Sequence, residues 1–209
     1  MPDTLQQLLE YQVTMTLSAA EVSDPVMESS LATLLIGVQK LGTVMGGSAG
    51  FGQRLHGVAV TIKPMKYEGM ADAHKVALRK DHFDTWTVVH ELAHAWDAAN
   101  DWKHSAAMQK AMGAGYHDLW CRIMHIFKPQ DPRNWYLPGN SPPPCGIDQN
   151  FNAREDFAEA VAALVFPAVA KQRAINRSWP YTDPARGYAY SEFVNTPRGQ
   201  SIQQLLAEG

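Results

Sequence analysis

Helical periodicity dominates the first quarter of this chain. Apolar residues recur on one face over residues 3–21 and again over residues 25–41, with a break at Ser23-Asp24-Pro25 between them. The glycines from Gly42 to Gly52 interrupt the pattern, and they lack the lysine and the spacing of phosphate-binding loops. The pattern therefore predicts two helices followed by a glycine-rich loop.

Two strands and a longer helix are predicted in the middle of the chain. Residues 55–62 alternate apolar and polar positions, and residues 75–79 read as a second short strand. Asp84 is a suitable N-cap for a helix that runs to about Asn100. The residues that form its apolar stripe, and so anchor it in a core, are Val89, Leu92, Ala93 and Trp96.

Helices also dominate the second half. Residues 105–111 and 116–127 are predicted as two helices, and residues 128–152, which contain six prolines, as a long rigid loop. Asn152 is a suitable N-cap for a further helix, and Thr196-Pro197 opens the last one. The apolar face of the helix over 116–127 is formed by Leu119, Trp120, Ile123 and Phe127.

Length and composition fit one folded domain. With 209 residues, 45% of them hydrophobic, the chain can bury a core. We predict a single α+β domain, 1–209, that is mostly α-helical. Its parts are 1–52 with the N-terminal helices and glycine-rich loop, 53–127 with the strands and following helices, and 128–209 with the proline-rich loop and C-terminal helices.

Charge and hydropathy exclude several partners. A net charge of −3 without a long basic run argues against nucleic acid or an anionic membrane. The longest apolar run, Val161–Ala170, is too short for a membrane span, and Met1–Gln7 lacks the features of a secretory signal. We expect a soluble protein, cytoplasmic by default, with secretion or delivery as an effector left open. Cys121 and Cys145 are expected as free thiols, or as one disulfide outside a cell. The oligomeric state is not predicted.

The helix from Thr85 contains the sequence His-Glu-x-x-His. Residues four apart lie on one helical face, so His90 and His94 can present two imidazole nitrogens to a single Zn²⁺ ion. Glu91 can reach a water at the open position of the metal and take its proton. A solvated helix face is the alternative, but the apolar stripe argues for a helix that borders a cleft.

A catalytic zinc site needs a third protein ligand. A third histidine six residues past His94 is excluded because that position is Asn100, and the candidates His104, His117 and His125 lack a supporting pattern. Glu155 is favoured. It lies in a mostly apolar helix with Glu159 one turn later, although Asn152-x-x-Glu155 also matches a capping box. Asp97 and Glu159 are predicted to orient the ligating histidines.

These two motifs resemble one family of peptidases. His90-Glu91-Leu92-Ala93-His94 with Asp97, followed by Asn152-x-x-Glu155-x-Phe157-Ala158-Glu159-Ala160, resembles the gluzincin metallopeptidases. Within them the chain is similar to the catalytic domain of anthrax lethal factor and to the Pro-Pro endopeptidases, over residues 74–166. The resemblance implies a zincin-like fold with a small sheet beside the His-Glu-x-x-His helix. It also implies one Zn²⁺ per chain, bound by His90, His94 and Glu155, and Glu91 as the base. Thermolysin is similar in its carboxylate four residues past the ligand glutamate, which matches Glu159.

One position departs from the family pattern. The relatives carry a tyrosine seven residues before the ligand glutamate, where it stabilises the oxyanion, and this chain has Asp148 there. Loss of one oxyanion donor costs about two to three decades in rate. The residues that could replace the donor are Tyr136, Tyr181, Tyr188 and Tyr190.

The sequence predicts a zinc-dependent endopeptidase that acts on a protein or peptide substrate. The second strand, close before the motif helix, is predicted to hold that substrate along its open edge. Two alternatives remain. One is a zinc-stabilised protein-interaction module with lost or weak catalysis, and the other is an amide hydrolase that acts on cell-wall peptides.

Overall fold

The computed structural model of the chain describes residues 2–141, 143–145, 147, 149–176 and 190–208. It is mostly helical with a small mixed sheet, which is compatible with the predicted α+β class. The chain divides into two compact units. These are Met1–Asp101 with Glu208–Gly209, and Trp102–Ala207.

The first unit begins with short elements. Helix α1 (Pro2–Glu10) is followed by strand β1 (Val13–Thr14) and helix α2 (Ala19–Val22), so the prediction of one helix over residues 3–21 is wrong. The apolar spacing continued past α1, but Val13 pairs in parallel with a strand more than forty residues later. Pairing with a distant partner therefore outweighs local periodicity here.

The next two helices form much of the core of this unit. Helix α3 (Pro25–Val44) confirms the second predicted helix, with Asp24 as its N-cap. Helix α4 (Gly47–Leu55) replaces the predicted glycine-rich loop, which is a correction. Gly46, at φ 89°, supplies the turn before α4, and a Cβ at Gly50 would overlap the carbonyl oxygen of Met45. The glycines thus permit a close approach of backbone to backbone.

The sheet contains four strands in the order β1-β2-β4-β3, with β2 at Val58–Lys63, β3 at Gly69–Asp72 and β4 at Lys75–Arg79. Strands β1, β2 and β4 are parallel, whereas β3 pairs antiparallel with β4. Both predicted strands are present. The prediction that the strand over 75–79 has an open edge is wrong, because β2 and β3 pair with it on its two sides. On the β4 side of the sheet, β3 is the edge strand instead.

Helix α5 (Thr85–Ala99) confirms the central predicted helix. The Thr87 N–H donates to Asp84 Oδ1 at 2.8 Å, which caps the helix. Helix α5 packs against α3 and β3. The predicted apolar stripe is wholly buried, and its members are Val89, Leu92, Ala93 and Trp96.

The second unit is helical. Asn152 caps its central helix, as predicted, by accepting from the backbone N–H groups of Arg154 and Glu155. The final helix also begins after Thr196, as predicted. The helices of this unit are α6 (Lys103–Met112), α7 (Leu119–Phe127), α8 (Ala153–Val165), α9 (Pro167–Asn176) and α10 (Pro197–Ala207), with 3₁₀ turns at Pro132–Asn134 and Tyr190–Asn195.

A buried ion pair links two helices of this unit. Arg198 on α10 and Asp156 on α8 are fully buried and form a bidentate pair, with Nε and Nη2 each 2.7 Å from a carboxylate oxygen. Arg198 Nη2 also donates to the carbonyl of Pro138 at 2.6 Å. The pair therefore joins α8, α10 and part of the predicted proline-rich loop.

Both cysteines, Cys121 and Cys145, are free. Among the described residues no helix has both the length and the apolar character that a membrane crossing needs.

Candidate metal centre

His90 and His94 face each other on α5. Their Nε2 atoms are 3.1 Å apart, and their rings meet nearly at right angles, at 84°. Two nitrogens that bind one zinc ion with tetrahedral geometry lie about 3.3 Å apart, given zinc–nitrogen distances of about 2.05 Å. The two imidazoles therefore already have nearly the spacing that one shared metal ion requires.

Glu91 is buried beside β3. A Cβ at Gly69 would lie 2.5 Å from Glu91 Oε1 and 2.6 Å from Glu91 Cδ, so the carboxylate occupies the space that a side chain at residue 69 would take. A role for Gly69 was not predicted from the sequence. A lone glycine in Tyr67-Glu68-Gly69-Met70 gives no signal of a helix partner that lies twenty-two residues later.

The first turn of α8 holds Glu155. The Asn152 side chain accepts from the Glu155 N–H at 3.3 Å, and the Arg154 guanidinium stacks 3.6 Å from the centroid of the Trp102 ring. Asp156, the next residue, is held by Arg198. A cap, a cation–π contact and a buried ion pair thus restrain three consecutive residues of this turn.

One ligand atom from each of His90, His94 and Glu155 lies within 4.8 Å of the other two. This group is geometrically able to bind a metal ion. Two nitrogens and one carboxylate oxygen form the donor set of catalytic zinc sites that keep a fourth position open.

The other histidines weighed as ligands have different surroundings. His104 stacks on Phe157, and the His125 ring packs against Tyr116. His117 forms a second group with Asp118 and Cys121 at the start of α7, again with ligand atoms within 4.8 Å. His117 and Asp118 are exposed there, and the Asp118 carboxylate accepts hydrogen bonds from His117 Nδ1 and the Cys121 N–H. These contacts account for that group as a helix cap.

The two carboxylates predicted to orient the ligands are buried. Asp97 is wholly buried, three residues past His94 on α5, and Glu159 is buried one turn past Glu155 on α8. Burial of ionisable groups at these positions is consistent with a role in a polar site. Their contacts with the histidine rings stay a prediction.

Of the tyrosines predicted as oxyanion donors, Tyr136 is described with its side chain. It is buried in an apolar cluster with Trp135, Ile147 and Phe151. The pKa of its phenol is raised mainly by burial and secondly by the charge of Asp156. The phenol is therefore protonated at neutral pH. Among the described residues its hydroxyl has no hydrogen-bond partner. Asp148, Tyr181 and Tyr188 lie outside the described residues, as does the side chain of Tyr190.

Comparisons with known proteins gave no match: no family model, no curated protein and no solved structure is significantly similar to this chain.

Proposed function

We propose that this chain is a zinc-dependent endopeptidase. The observation that carries the proposal is the convergence of ligand atoms from His90, His94 and Glu155. The N–N spacing of the histidine pair supports the assignment of zinc, as does the mixed nitrogen and oxygen donor set.

The residues of the group have distinct roles in the proposed reaction. His90, His94 and Glu155 bind the ion, which supplies Lewis acidity toward a substrate carbonyl and makes water a stronger acid. Glu91 accepts the proton of the attacking water and then donates it to the leaving amine, so that the carboxylate is regenerated at the end of the cycle. Asp97 and Glu159 orient the ligand side chains.

The edge strand β3 is the proposed substrate-binding element. It lies at the edge of the sheet and contacts α5 through Gly69 and Glu91. The outer edge of such a strand presents backbone N–H and C=O groups that can pair with an extended peptide. Because Gly69 has no side chain, a peptide paired along β3 comes close to the Glu91 carboxylate.

Peptide-library cleavage with mass-spectrometric readout tests the proposal. The wild type is compared with Glu91→Gln, which keeps the size of the side chain but removes the base, and zinc content is measured for both. We expect cleavage by the wild type, and loss of cleavage in Glu91→Gln with zinc retained. Equal cleavage by both proteins would contradict the role of Glu91.

Two other outcomes would favour the alternatives. Stoichiometric zinc without cleavage of any peptide would support the zinc-stabilised interaction module, and cleavage of cell-wall peptides alone would support the amide hydrolase. A protein that is purified without zinc and does not take it up would refute the metal centre itself.

A further inference from the structure

The apolar face of helix α7 is exposed to solvent. Five of its large apolar side chains are between 37% and 75% exposed. The side of α7 that is turned toward the protein carries Cys121, Met124 and His125, all partly buried, and the His125 ring packs against Tyr116. The five exposed side chains are Leu119, Trp120, Ile123, Ile126 and Phe127.

These five side chains form the α7 face, whose apolar area is large for a protein surface. Five such side chains leave on the order of 600 Å² of apolar surface in water. A patch of this size is at the upper end of what a typical soluble monomer exposes, and such patches are often functional. It approaches the roughly 800 Å² per partner of a standard protein interface.

The order of residues in the α7 face is symmetric about Ile123. Leu119 and Phe127 lie four positions on either side of it, and Trp120 and Ile126 lie three positions on either side. When two copies of α7 pack antiparallel around a two-fold axis at Ile123, Leu119 meets Phe127 of the second copy, and Trp120 meets Ile126. A face of this kind is complementary to itself, as an isologous interface requires.

Charge is compatible with the same arrangement. Asp118 and Lys128, the caps of α7, lie five positions on either side of Ile123 and outside the α7 face, so antiparallel packing places opposite charges at each end of the paired helices. The Cys121 N–H and His117 hold the pKa of Asp118 below its usual range, so this carboxylate is ionised. An anionic lipid surface fits less well, because the chain has a net charge of −3 and α7 contains a single arginine.

We propose that the α7 face is the interface of a homodimer, in which α7 packs antiparallel on α7 of a second copy with Ile123 on the two-fold axis. This inference does not depend on the metal centre. It also predicts that dimerisation does not change the arrangement of His90, His94 and Glu155.

Sedimentation equilibrium between about 1 and about 100 µM chain tests the dimer, since interfaces of this size span such affinities. The wild type is expected to self-associate. Phe127→Asp should weaken association at least about thirtyfold, the loss typical of a large apolar anchor. The matched control Leu9→Asp, at an exposed leucine on α1, should associate like the wild type. Circular dichroism spectra of both variants should match the wild type, because both residues are exposed.

Cysteine cross-linking in a Cys121→Ser background tests the axis. Ile123→Cys should form a dimeric disulfide on mild oxidation. Trp120→Cys and Ile126→Cys should each cross-link poorly alone and efficiently when the two proteins are mixed. A wild type that is monomeric at all concentrations would overturn the proposal, as would efficient cross-linking by Trp120→Cys alone. A monomer whose binding to phosphatidylcholine vesicles is lost in Phe127→Asp would overturn it in favour of a lipid partner.

Discussion

Substitution of Gly69 by alanine tests how β3 positions the Glu91 carboxylate. The added Cβ would lie 2.5 Å from Glu91 Oε1 and 2.6 Å from Cδ. Ordinary contacts between such atoms begin near 3.5 Å, so the carboxylate must move by about 1 Å. The nearest atoms to the new Cβ all belong to the flexible Glu91 side chain, so the backbone of β3 can stay in place.

A displacement of this size has a calculable effect on the proposed reaction. A misplacement of about 1 Å in a reacting group costs on the order of a hundredfold in rate. We expect Gly69→Ala to lower kcat by about that factor on the best library peptide, with KM changed less. Zinc content should equal that of the wild type, because His90, His94 and Glu155 are not touched.

The matched control is Gly115→Ala, where the added Cβ meets its nearest neighbour at an ordinary 3.9 Å. It should keep the wild-type kcat. An unchanged kcat in Gly69→Ala would refute the packing of β3 against the base. A similar loss in both variants would point to a general effect of the added methyl group.

Further substitutions and a change of pH test other parts of the structure. If Tyr136 supplies the oxyanion donor, Tyr136→Phe should lower kcat by about two to three decades. Stability should be unchanged, because the phenol has no described hydrogen-bond partner to lose. Unchanged peptide kinetics would leave Tyr136 a packing role. Arg198→Met should lower the free energy of unfolding by about 3–5 kcal/mol, because it leaves the Asp156 carboxyl buried without its partner. Urea denaturation should show a smaller loss in Arg198→Met/Asp156→Leu, and equal losses in the two proteins would contradict the pairing. Lys80 holds the pKa of Asp24 below its usual range. The extra stability of the wild type over Asp24→Asn should therefore be present above about pH 4 and vanish as pH falls through the lowered pKa. Urea titrations at about pH 6 and about pH 3 that give the same difference in stability would contradict this.

Local signals predicted the elements that hold the candidate site. Asp84 and Asn152 cap α5 and α8 as their sequences indicated. A cap is predictable because its side-chain oxygen accepts a hydrogen bond from a backbone N–H only two or three residues later. The histidine pair was predicted for the same reason, since a spacing of four residues fixes a shared face of one helix. Glu155 was favoured through its helix and through the resemblance to gluzincins.

Contacts that are distant in the sequence were not predictable. The strand β3 has the sequence Gly-Met-Ala-Asp, which has little strand propensity, and it exists because β4 pairs with it. The error at β4 has the same origin, since an unrecognised neighbour covers the edge that was expected to be open. The helix α4 was not predicted, because its glycines permit a close approach of the helix backbone to Met45. No local sequence pattern indicates such a contact.

The α7 face shows a different limit of periodicity. The apolar residues of α7 share one face as predicted, but the periodicity does not reveal whether that face meets the core or the solvent. The structure places it in solvent. The proposed homodimer, in which the order of residues is palindromic about Ile123, explains why the face is exposed.

Zinc titration of metal-free protein by calorimetry tests the metal centre most directly. The variants are His94→Ala, Glu155→Ala and, as a control that removes a carboxylate near the C-terminus, Glu208→Ala. We expect about one zinc ion per chain for the wild type and for Glu208→Ala, no high-affinity site in His94→Ala, and an affinity lowered by a hundredfold or more in Glu155→Ala. Wild-type zinc affinity in Glu155→Ala, or binding that is lost in Cys121→Ser instead, would contradict the assignment of His90, His94 and Glu155 as the ligands.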